Sequence, residues 1–350
     1  MSLQRRELGR TGIRVSQLCL GSMTWGSQND RREAAEQIEC SLDAGVDFID
    51  TAEMYPTTPL SADTLGGTES IIGRWFGDSG RRDEVVLATK VTGSGPAWMF
   101  GGHDISAKRM REAVEASLRR LRTDRIDLYQ LHWPNRGSYH FRQHWQFDPT
   151  NQSSAAMQDH VDEVLRSASD LVEAGKIRAI GLSNESAWGT MQFLKAAERH
   201  PGLPRVATVQ NEYSLLCRLF DTDMAELSHH EDVGLLAFSP LATGMLSGKY
   251  ANEALPEGSR RAQNASLGGR WTPQAIAASD AYVALAREHG LDPSQMALAF
   301  CLRRPFMTSV ILGATSMAQL RTALGAAELV LSDELLEAID TLRRVHPLPM

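Results

Sequence analysis

Short apolar runs recur along the chain, and each is too short to form an ordinary helix. They are rich in Val, Ile and Leu, as expected for strands that are covered on both faces. Eight such runs occur, at residues 15–20, 46–50, 85–90, 126–132, 177–183, 206–210, 233–238 and 309–312. Because eight parallel strands close a barrel, their number favours a (β/α)8 fold.

Helical patterns fill the segments between these runs. Between the third and fourth runs, one helical face carries the apolar or small residues Met110, Ala113, Val114, Ser117, Leu118 and Leu121. The alternation of strand and helix predicts parallel pairing, and no linker rich in Pro or Gly divides the chain. We therefore expect residues 1–350 to form a single α/β domain, a (β/α)8 TIM barrel.

Glycine positions separate this fold from an open doubly wound sheet. The dinucleotide site of such a sheet needs Gly-x-Gly-x-x-Gly between the first strand and its helix. Residues 21–26 instead read Gly-Ser-Met-Thr-Trp-Gly, which does not fit. Ahead of the first strand, residues 9–12 read Gly-Arg-Thr-Gly and separate two short segments, as in a β-hairpin. We expect this N-terminal hairpin to close the bottom of the barrel.

Three connections are longer than the fold requires. They span residues 91–106, 133–157 and 247–272 and follow the third, fourth and seventh strands. Loops that follow the strands of a barrel form its C-terminal face, where active sites lie. The long loops therefore predict a functional site at that face.

Composition narrows the classes of partner. The chain has 43 acidic and 36 basic residues, and its arginine pairs are scattered, so we expect no nucleic-acid or membrane partner. The four cysteines have no Cys-x-x-Cys spacing, which argues against a disulfide framework or a zinc site. No signal peptide is recognisable, and no run approaches the ~18 apolar residues of a membrane span. We therefore expect a cytoplasmic protein.

Four polar residues fall at or just beyond the ends of predicted strands. Asp50 ends the second strand, Tyr55 follows in the loop, Lys90 ends the third strand and His132 ends the fourth. In a barrel these positions converge at one face. A cation at Lys90 would stabilise a Tyr55 phenolate and lower the phenol pKa from about 10, and Asp50 would keep Lys90 charged. His132 would orient a substrate oxygen toward Tyr55, which would protonate an alkoxide as hydride arrives.

Each of these residues alone has an ordinary structural explanation. Asp50 suits a helix N-cap, Lys90 a solvated strand end, His132 a core histidine and Tyr55 a packed loop aromatic. Four such residues at three successive strand ends are harder to explain by packing. Their combination favours catalysis.

The segments that carry these residues resemble the signature segments of aldo-keto reductases. They are residues 48–55 (Phe-Ile-Asp-Thr-Ala-Glu-Met-Tyr), 88–90 (Ala-Thr-Lys) and 127–134 (Asp-Leu-Tyr-Gln-Leu-His-Trp-Pro). The likeness extends to residues 181–184, 210–214, 239–241 and 313–315, and thus over nearly the whole chain. It is strongest to the bacterial Tas-like branch of the family.

This resemblance implies NADPH-dependent reduction of aldehydes or ketones to alcohols. It assigns Tyr55 as the general acid, Lys90 and Asp50 as the pair that tunes it, and His132 as the residue that orients the carbonyl. Relatives that reduce carbon-carbon double bonds have a glutamate in place of His132. The histidine therefore favours carbonyl reduction.

A bound nicotinamide needs polar groups at its carboxamide and a flat surface behind its ring. In the family, the positions of Ser183, Asn184 and Gln210 hold the carboxamide, and that of Tyr213 stacks on the ring. Ser183 and Asn184 also suit an ordinary helix cap. The cofactor role is the one that we expect.

Two further segments suit the phosphates of such a cofactor. The segment after the seventh strand combines glycines, hydroxyl groups and a lysine, with the candidates Ser239, Pro240, Leu241, Gly244, Gly248 and Lys249. The helix after the eighth strand would receive the adenosine phosphate at its N-terminus, with the candidates Gly313, Thr315, Ser316, Gln319 and Arg321. Many family members have Glu-Asn where this chain has Thr322 and Ala323, a departure at the adenine. NADPH rather than NADH is the cofactor that the resemblance implies.

Aromatic and sulfur-containing residues on the predicted loops suit an apolar substrate pocket. The candidates are Trp25, Met54, Trp98 and Trp133, with Phe141 and Trp145 nearby on the chain. Such residues would admit an aromatic or aliphatic aldehyde, or would pack the loops together.

Two other classes of protein share parts of this pattern. A nucleotide-sensing binding subunit of the same fold would keep the same catalytic residues, so the sequence leaves that hypothesis open. A metal-dependent barrel lyase or isomerase would need carboxylates and histidines at several strand ends. Only Asp50 and His132 lie there, so we expect no metal.

Overall fold

The computed structural model describes residues 3–350, in which a hairpin precedes a closed barrel of parallel strands. In the hairpin, β1 (Arg5–Glu7) pairs antiparallel with β2 (Arg14–Ser16). The barrel strands are β3 (Leu18–Gly21), β4 (Phe48–Asp50), β5 (Val86–Val91), β6 (Ile126–Leu131), β7 (Ile177–Ser183), β8 (Thr208–Glu212), β9 (Gly234–Phe238) and β10 (Met307–Leu312). Strands pair in chain order, and β10 closes the barrel against β3. The predicted (β/α)8 fold is confirmed.

Helices connect the strands and pack around the barrel. They are α1 (Arg31–Asp43), α2 (Gly67–Ser79), α3 (Ala107–Leu121), α4 (Ser154–Glu173), α5 (Ala187–Arg199), α6 (Asp223–Glu231), α7 (Arg260–Gln263), α8 (Pro273–Glu288), α9 (Pro293–Leu302), α10 (Met317–Leu324) and α11 (Asp333–Val345). Local sequence sets where they begin: Asp30 and Glu33 form a capping box on α1, and Ser106 caps α3. In the described part of the chain, no helix is both long and apolar enough to cross a membrane.

The hairpin closes the N-terminal end of the barrel, as the sequence predicts. Its buried residues Leu8, Ile13 and Val15 belong to one cluster with residues from all eight barrel strands or the residue before them. The barrel members of this cluster are Cys19, Phe48, Ala88, Leu128, Ala179, Ala207, Leu236 and Ile311. Burying apolar surface stabilises by about 25 cal/mol per Å². The bottom of the barrel is therefore a packed core.

The first predicted strand, residues 15–20, is two strands in the structure. Gln17 separates β2 from β3, and its backbone N–H donates to the Gln4 carbonyl at 2.9 Å. Val15 packs beneath the barrel, whereas Leu18 packs in the layer between barrel and helices. The apolar residues of this run therefore fill two different cores, on either side of Gln17.

The long loops lie at the C-terminal end of the barrel, and the last residues of the chain connect two of them. The Met350 carbonyl accepts hydrogen bonds from His144 Nε2 at 2.9 Å and Trp145 Nε1 at 3.1 Å. The Thr272 hydroxyl donates to the Pro349 carbonyl at 2.9 Å. These contacts join residues 133–157 and 247–272 over one face of the molecule.

Candidate active site

Asp50, Tyr55, Lys90 and His132 come together at the C-terminal end of the barrel. Asp50 is the last residue of β4, Lys90 the last but one of β5, and His132 directly follows β6. Tyr55 lies in the loop after β4, with its ring 5.9 Å from the His132 ring. We call the C-terminal end of the barrel around Tyr55, Lys90 and His132 the mouth. The structure thus groups the four residues whose catalytic role the sequence predicts.

Lys90 is the central residue of this group. Its Nζ donates to Asp50 Oδ2 at 2.6 Å and to the Thr51 carbonyl at 2.8 Å, and it lies 3.4 Å from the Tyr55 hydroxyl oxygen. Lys90 is fully buried and Asp50 is 3% exposed. A buried charge is stable only when it is paired and hydrogen bonded, so Asp50 and Lys90 depend on each other.

The protonation states at the mouth follow from burial and from Lys90. Burial raises the pKa of the Tyr55 phenol, and the Lys90 charge offsets only part of that rise. Lys90 therefore acts on this pKa in the expected direction, but burial outweighs it and the net shift of the Tyr55 pKa is upward. Burial acts to lower the pKa of Lys90, but Asp50 and Tyr55 raise it above its usual value. Burial and the Lys90 charge hold the pKa of His132 well below its usual range, so its imidazole is neutral at pH 7.

Two glutamines hold Asp50 from the other side. Gln210 Nε2 donates to Asp50 Oδ1 at 2.8 Å, and Gln130 Nε2 donates to the same oxygen at 3.2 Å. Gln210 Nε2 also donates to Gln130 Oε1 at 3.1 Å. Gln130 is not among the site residues predicted from sequence. Its position two residues before His132 was the available signal, because alternate residues of a strand face the same side.

Ser183 and Asn184 lie beside this network at the end of β7. Asn184 Nδ2 donates to the His132 carbonyl at 2.9 Å and to Ser183 Oγ at 3.1 Å. Asn184 Oδ1 is buried and has no hydrogen-bond partner within residues 3–350. An unpaired buried acceptor is costly unless a ligand donates to it. The carboxamide N–H of a nicotinamide is a donor of the right kind, so these residues fit that group.

Tyr213 lies away from the mouth. Its ring is fully buried, 5.5 Å from the Phe306 ring, and its hydroxyl donates to Asp221 Oδ1 at 2.8 Å. The structure therefore does not support the expected stacking of Tyr213 on a cofactor, because this side chain belongs to the packing outside the barrel. Phe238, the last residue of β9, is half-buried and packs on the interior barrel cluster that contains Leu236. The sequence analysis overlooked Phe238, although its alternation with Leu236 marks it as facing inward.

The segment after β9 has an unusual backbone. Ser239, Ala242 and Thr243 have φ angles of +52°, +46° and +57°, in the left-handed region that residues other than glycine rarely adopt. Gly244 and Gly248 share that region, with φ of +96° and +76°. Such strain persists where the surrounding structure fixes it, often at ligand sites, and a right-handed residue followed by a left-handed one can form a concave anion-binding backbone. The remaining candidates, Pro240, Leu241 and Lys249, lie in this same segment.

The candidate residues around α10 lie at its N-terminus. Ser316 is the N-cap, and its side chain accepts from the Gln319 backbone N–H. Gln319 Oε1 accepts from the Thr315 backbone N–H at 3.0 Å. Gly313 and Arg321 are exposed, so this end of the helix is open to a ligand. A helix N-terminus favours anions.

Arg260 is a cation near the mouth that the sequence analysis did not single out. Its Nη1 lies 3.6 Å from Met23 Sδ, and none of the ion pairs in residues 3–350 includes its guanidinium. Burial and the nearby Arg270 charge lower its pKa. Glu212 is already bonded to Arg142 at 2.8 Å and to Arg270 at 2.6 Å, which leaves Arg260 available for an anion.

The candidate substrate-pocket residues occupy different environments. Trp25 is fully buried and donates to Gln37 Oε1 at 3.0 Å, so it packs a loop and does not line the mouth. Met54 and Trp133 pack in one small cluster with Tyr55. Trp98 is 46% exposed. Met54 and Trp133 therefore lie beside the catalytic candidates, whereas Trp25 does not line the predicted pocket.

The carboxylates near the mouth are paired with cations. Asp50 bonds Lys90, and buried Glu53 bonds Arg109 and accepts from the Thr92 backbone N–H. In residues 3–350 no group of three or more His, Cys, Asp or Glu side chains is arranged to hold a metal ion.

Known proteins are similar to this chain over nearly its whole length. The aldo/keto reductase family profile matches residues 17–344. The chain is 40% identical over 353 residues to protein tas of Escherichia coli (strain K12), covering 99% of each chain. It is 36% identical over 340 residues to the uncharacterized oxidoreductase YrpG of Bacillus subtilis (strain 168), covering 95% of this chain and 94% of that protein. It is 30% identical over 340 residues to a probable voltage-gated potassium channel subunit beta of Arabidopsis thaliana, covering 94% and 92%.

The chain belongs to the aldo/keto reductase family. This confirms the resemblance read from the motifs, including the Tas-like branch. Members of the family are oxidoreductases that act on carbonyl groups and use nicotinamide cofactors. The protein is thus an oxidoreductase whose barrel presents a buried ion pair and a phenol at its C-terminal end.

Proposed function

We propose that this protein reduces aldehydes or ketones to alcohols with NADPH and uses Tyr55 as the general acid. One observation carries the proposal: the buried Lys90 ammonium lies 2.6 Å from Asp50 Oδ2 and 3.4 Å from the Tyr55 hydroxyl oxygen. A cation held between a carboxylate and a phenol stabilises the phenolate that remains after proton transfer.

The proposed tasks of the four residues follow from their protonation states. When bound, a reduced nicotinamide supplies hydride to the carbonyl carbon. Tyr55 keeps its proton at neutral pH because burial raises its pKa, and it donates that proton to the carbonyl oxygen. Lys90 stabilises the resulting phenolate, and Asp50 keeps Lys90 charged. His132, a neutral imidazole, donates a hydrogen bond that orients the same oxygen.

The residues that would hold the nicotinamide end of the cofactor are Ser183, Asn184, Gln210 and Phe238. Asn184 offers a buried acceptor without a partner, which favours a carboxamide N–H. Phe238 replaces Tyr213 as the proposed flat surface, because it packs on the barrel interior whereas Tyr213 does not.

The phosphate end would lie along residues 239–249 and at the N-terminus of α10. Arg260, which has no carboxylate partner in the described part of the chain, and the exposed Arg321 add positive charge on this side. These cations favour NADPH over NADH because the 2′-phosphate of NADPH adds anionic oxygens for them. Thr322 and Ala323 stand where many relatives have Glu-Asn, so the proposed affinity for NADPH depends on the cations.

A fluorescence titration tests the proposed function. Tryptophan emission is followed with NADPH and with NADH, and simple aldehydes are then added while nicotinamide oxidation is recorded. We expect tighter binding of NADPH and its oxidation by an aldehyde. Binding without turnover would favour a nucleotide-sensing role. Failure to bind either nucleotide would contradict the cofactor assignment.

An Arg260→Gln variant sharpens the test of cofactor preference. If Arg260 meets the 2′-phosphate, this variant binds NADPH more weakly and narrows the difference between the affinities for NADPH and NADH. An unchanged preference would remove Arg260 from the proposed site.

A further inference from the structure

Gln130 lies inside the barrel, two residues before His132, and is fully buried. A buried amide is costly unless its hydrogen bonds are satisfied. Gln130 meets this requirement with two bonds, from its Nε2 to Asp50 Oδ1 at 3.2 Å and from Gln210 Nε2 to its Oε1 at 3.1 Å. It therefore joins the carboxylate that pairs with Lys90 to the Gln210 amide on β8.

These bonds determine which way the Gln210 amide points. The Asp50 carboxylate only accepts hydrogen bonds, so both glutamines must turn N–H groups toward its Oδ1. Gln210 Nε2 then uses one N–H for Asp50 and the other for Gln130 Oε1. The group left on the Gln210 amide is Oε1, an acceptor. A half-turn of this amide would bring Oε1 against two other acceptors, Asp50 Oδ1 and Gln130 Oε1.

We propose that Gln130 is a positioning residue that holds the Gln210 amide ready to accept from the carboxamide of a nicotinamide. This inference rests on the proposed function, because it requires a nicotinamide at the mouth. Asp50 alone provides one contact, about which the Gln210 amide can pivot. Gln130 provides the second contact, so the amide has one orientation before any cofactor binds.

Two nucleotides separate this role from a merely structural one. NADPH carries a nicotinamide, whereas 2′-phospho-ADP-ribose has the same phosphates and adenosine without it. Gln130→Met keeps a side chain of similar length and removes both hydrogen bonds. We expect this variant to bind 2′-phospho-ADP-ribose as the wild type does and NADPH about tenfold more weakly. The readout is the dissociation constant of each nucleotide.

Thr208→Val is the matched control. Thr208 is fully buried on β8, two residues before Gln210, and its hydroxyl has no hydrogen-bond partner among the residues that the structure describes. This variant removes a buried polar group from the same strand but leaves the glutamine network intact. We expect both dissociation constants to match those of the wild type.

Gln130→Glu gives a second signature. A protonated glutamic acid donates to Asp50 and accepts from Gln210, as the glutamine does, whereas the ionised form cannot donate and repels Asp50. We expect the preference of this variant for NADPH over 2′-phospho-ADP-ribose to match the wild type at about pH 5.5 and to fall about tenfold at about pH 8.5, because a neighbouring carboxylate raises the pKa of the new carboxyl.

Three results would count against the inference. Equal weakening of both nucleotides by Gln130→Met, or an unchanged NADPH affinity, would overturn it. If that variant does not fold, a preference in Gln130→Glu that is independent of pH would overturn it. A wild type that binds both nucleotides equally would contradict the proposed nicotinamide site itself, and the inference would fail with it.

Discussion

The two ends of the barrel interior are built from the same strands and have opposite chemistry. At the bottom, Phe48 and Leu128 belong to an apolar cluster covered by the hairpin. Two residues further along the same strands, Asp50 and Gln130 belong to a buried hydrogen-bond network. Residues i and i+2 of a strand face the same side. A distance of two residues along each strand therefore separates the apolar cluster from the polar network. The comparison shows that the C-terminal strand ends can carry costly polar groups because the layer below supplies the stability.

The largest expected effect is on activity at the polar end. We expect Tyr55→Phe to lower kcat/KM for an aldehyde by about 10³-fold or more, because the proton donor is lost. The dissociation constant for NADPH should stay within about twofold, because the phenol acts on the substrate oxygen. Steady-state kinetics and fluorescence titration measure the two quantities.

Tyr129→Phe is the control for that change. Tyr129 is also fully buried, and from Leu3 to Met350 its hydroxyl finds no hydrogen-bond partner. We expect it to retain activity. Ordinary turnover in Tyr55→Phe would remove Tyr55 from the proposed role.

Lys90→Met should affect both activity and stability. It removes the charge that stabilises the phenolate, and it leaves Asp50 buried without its cation, at a cost of about 3–5 kcal/mol in the free energy of unfolding. The double variant Asp50→Asn with Lys90→Met should recover part of this stability but no activity. Denaturant unfolding and kinetics test both statements. A single variant as stable and active as the wild type would contradict the account of the ion pair.

A substitution at the apolar end should lower stability but leave activity unchanged. We expect Leu128→Ala to lower the free energy of unfolding by about 2–5 kcal/mol, because it leaves a cavity in the bottom cluster. The kcat per folded molecule should stay within about twofold of the wild type, because Leu128 belongs to the apolar cluster at the bottom of the barrel and not to the polar network. A loss of kcat as large as that of Lys90→Met would mean that the two layers are not independent.

The smallest expected effect concerns pH and a loop at the mouth. Burial lowers the pKa of His140, whose Nε2 lies 3.1 Å from the Glu185 carbonyl oxygen. The unfolded chain therefore binds a proton at His140 near pH 6.5, whereas the folded protein does not. The free energy of unfolding falls as the pH falls below that value. We expect His140→Gln to flatten this dependence by at most about 1.4 kcal/mol per pH unit. Unfolding curves between pH 7 and pH 5 measure it, and an unchanged slope would contradict the assignment.

The strands and the grouping of strand-end residues could be predicted from sequence. Strand positions fix where a side chain lies, so Asp50, Lys90 and His132 converge in any barrel with this order of elements. Position does not fix the electrostatic balance. The opposing effects of burial and Lys90 on the Tyr55 pKa depend on depth and distance, which only coordinates give.

Other site residues could not be located from sequence, because a loop or a side chain can adopt several positions that fit the same sequence pattern. Trp25 and Tyr213 are equally apolar in sequence whether they face a ligand or pack beneath a helix, and the structure shows that both are fully buried. Arg260 lies in a long loop that approaches the mouth from a distant part of the chain. The role of Gln130 can be recognised only from its hydrogen bonds with Asp50 and Gln210, which lie on other strands.

Transfer of deuterium tests the central claim most directly. NADPH carrying deuterium at C4 of the nicotinamide, on either face, is mixed with the protein and an aldehyde, and the alcohol is analysed by mass spectrometry. We predict that one of the two labelled cofactors gives an alcohol with a single deuterium on its carbinol carbon, and that Tyr55→Phe gives almost none. Oxidation of both cofactors without deuterium in the alcohol, or equal labelling by Tyr55→Phe, would contradict direct carbonyl reduction at this mouth.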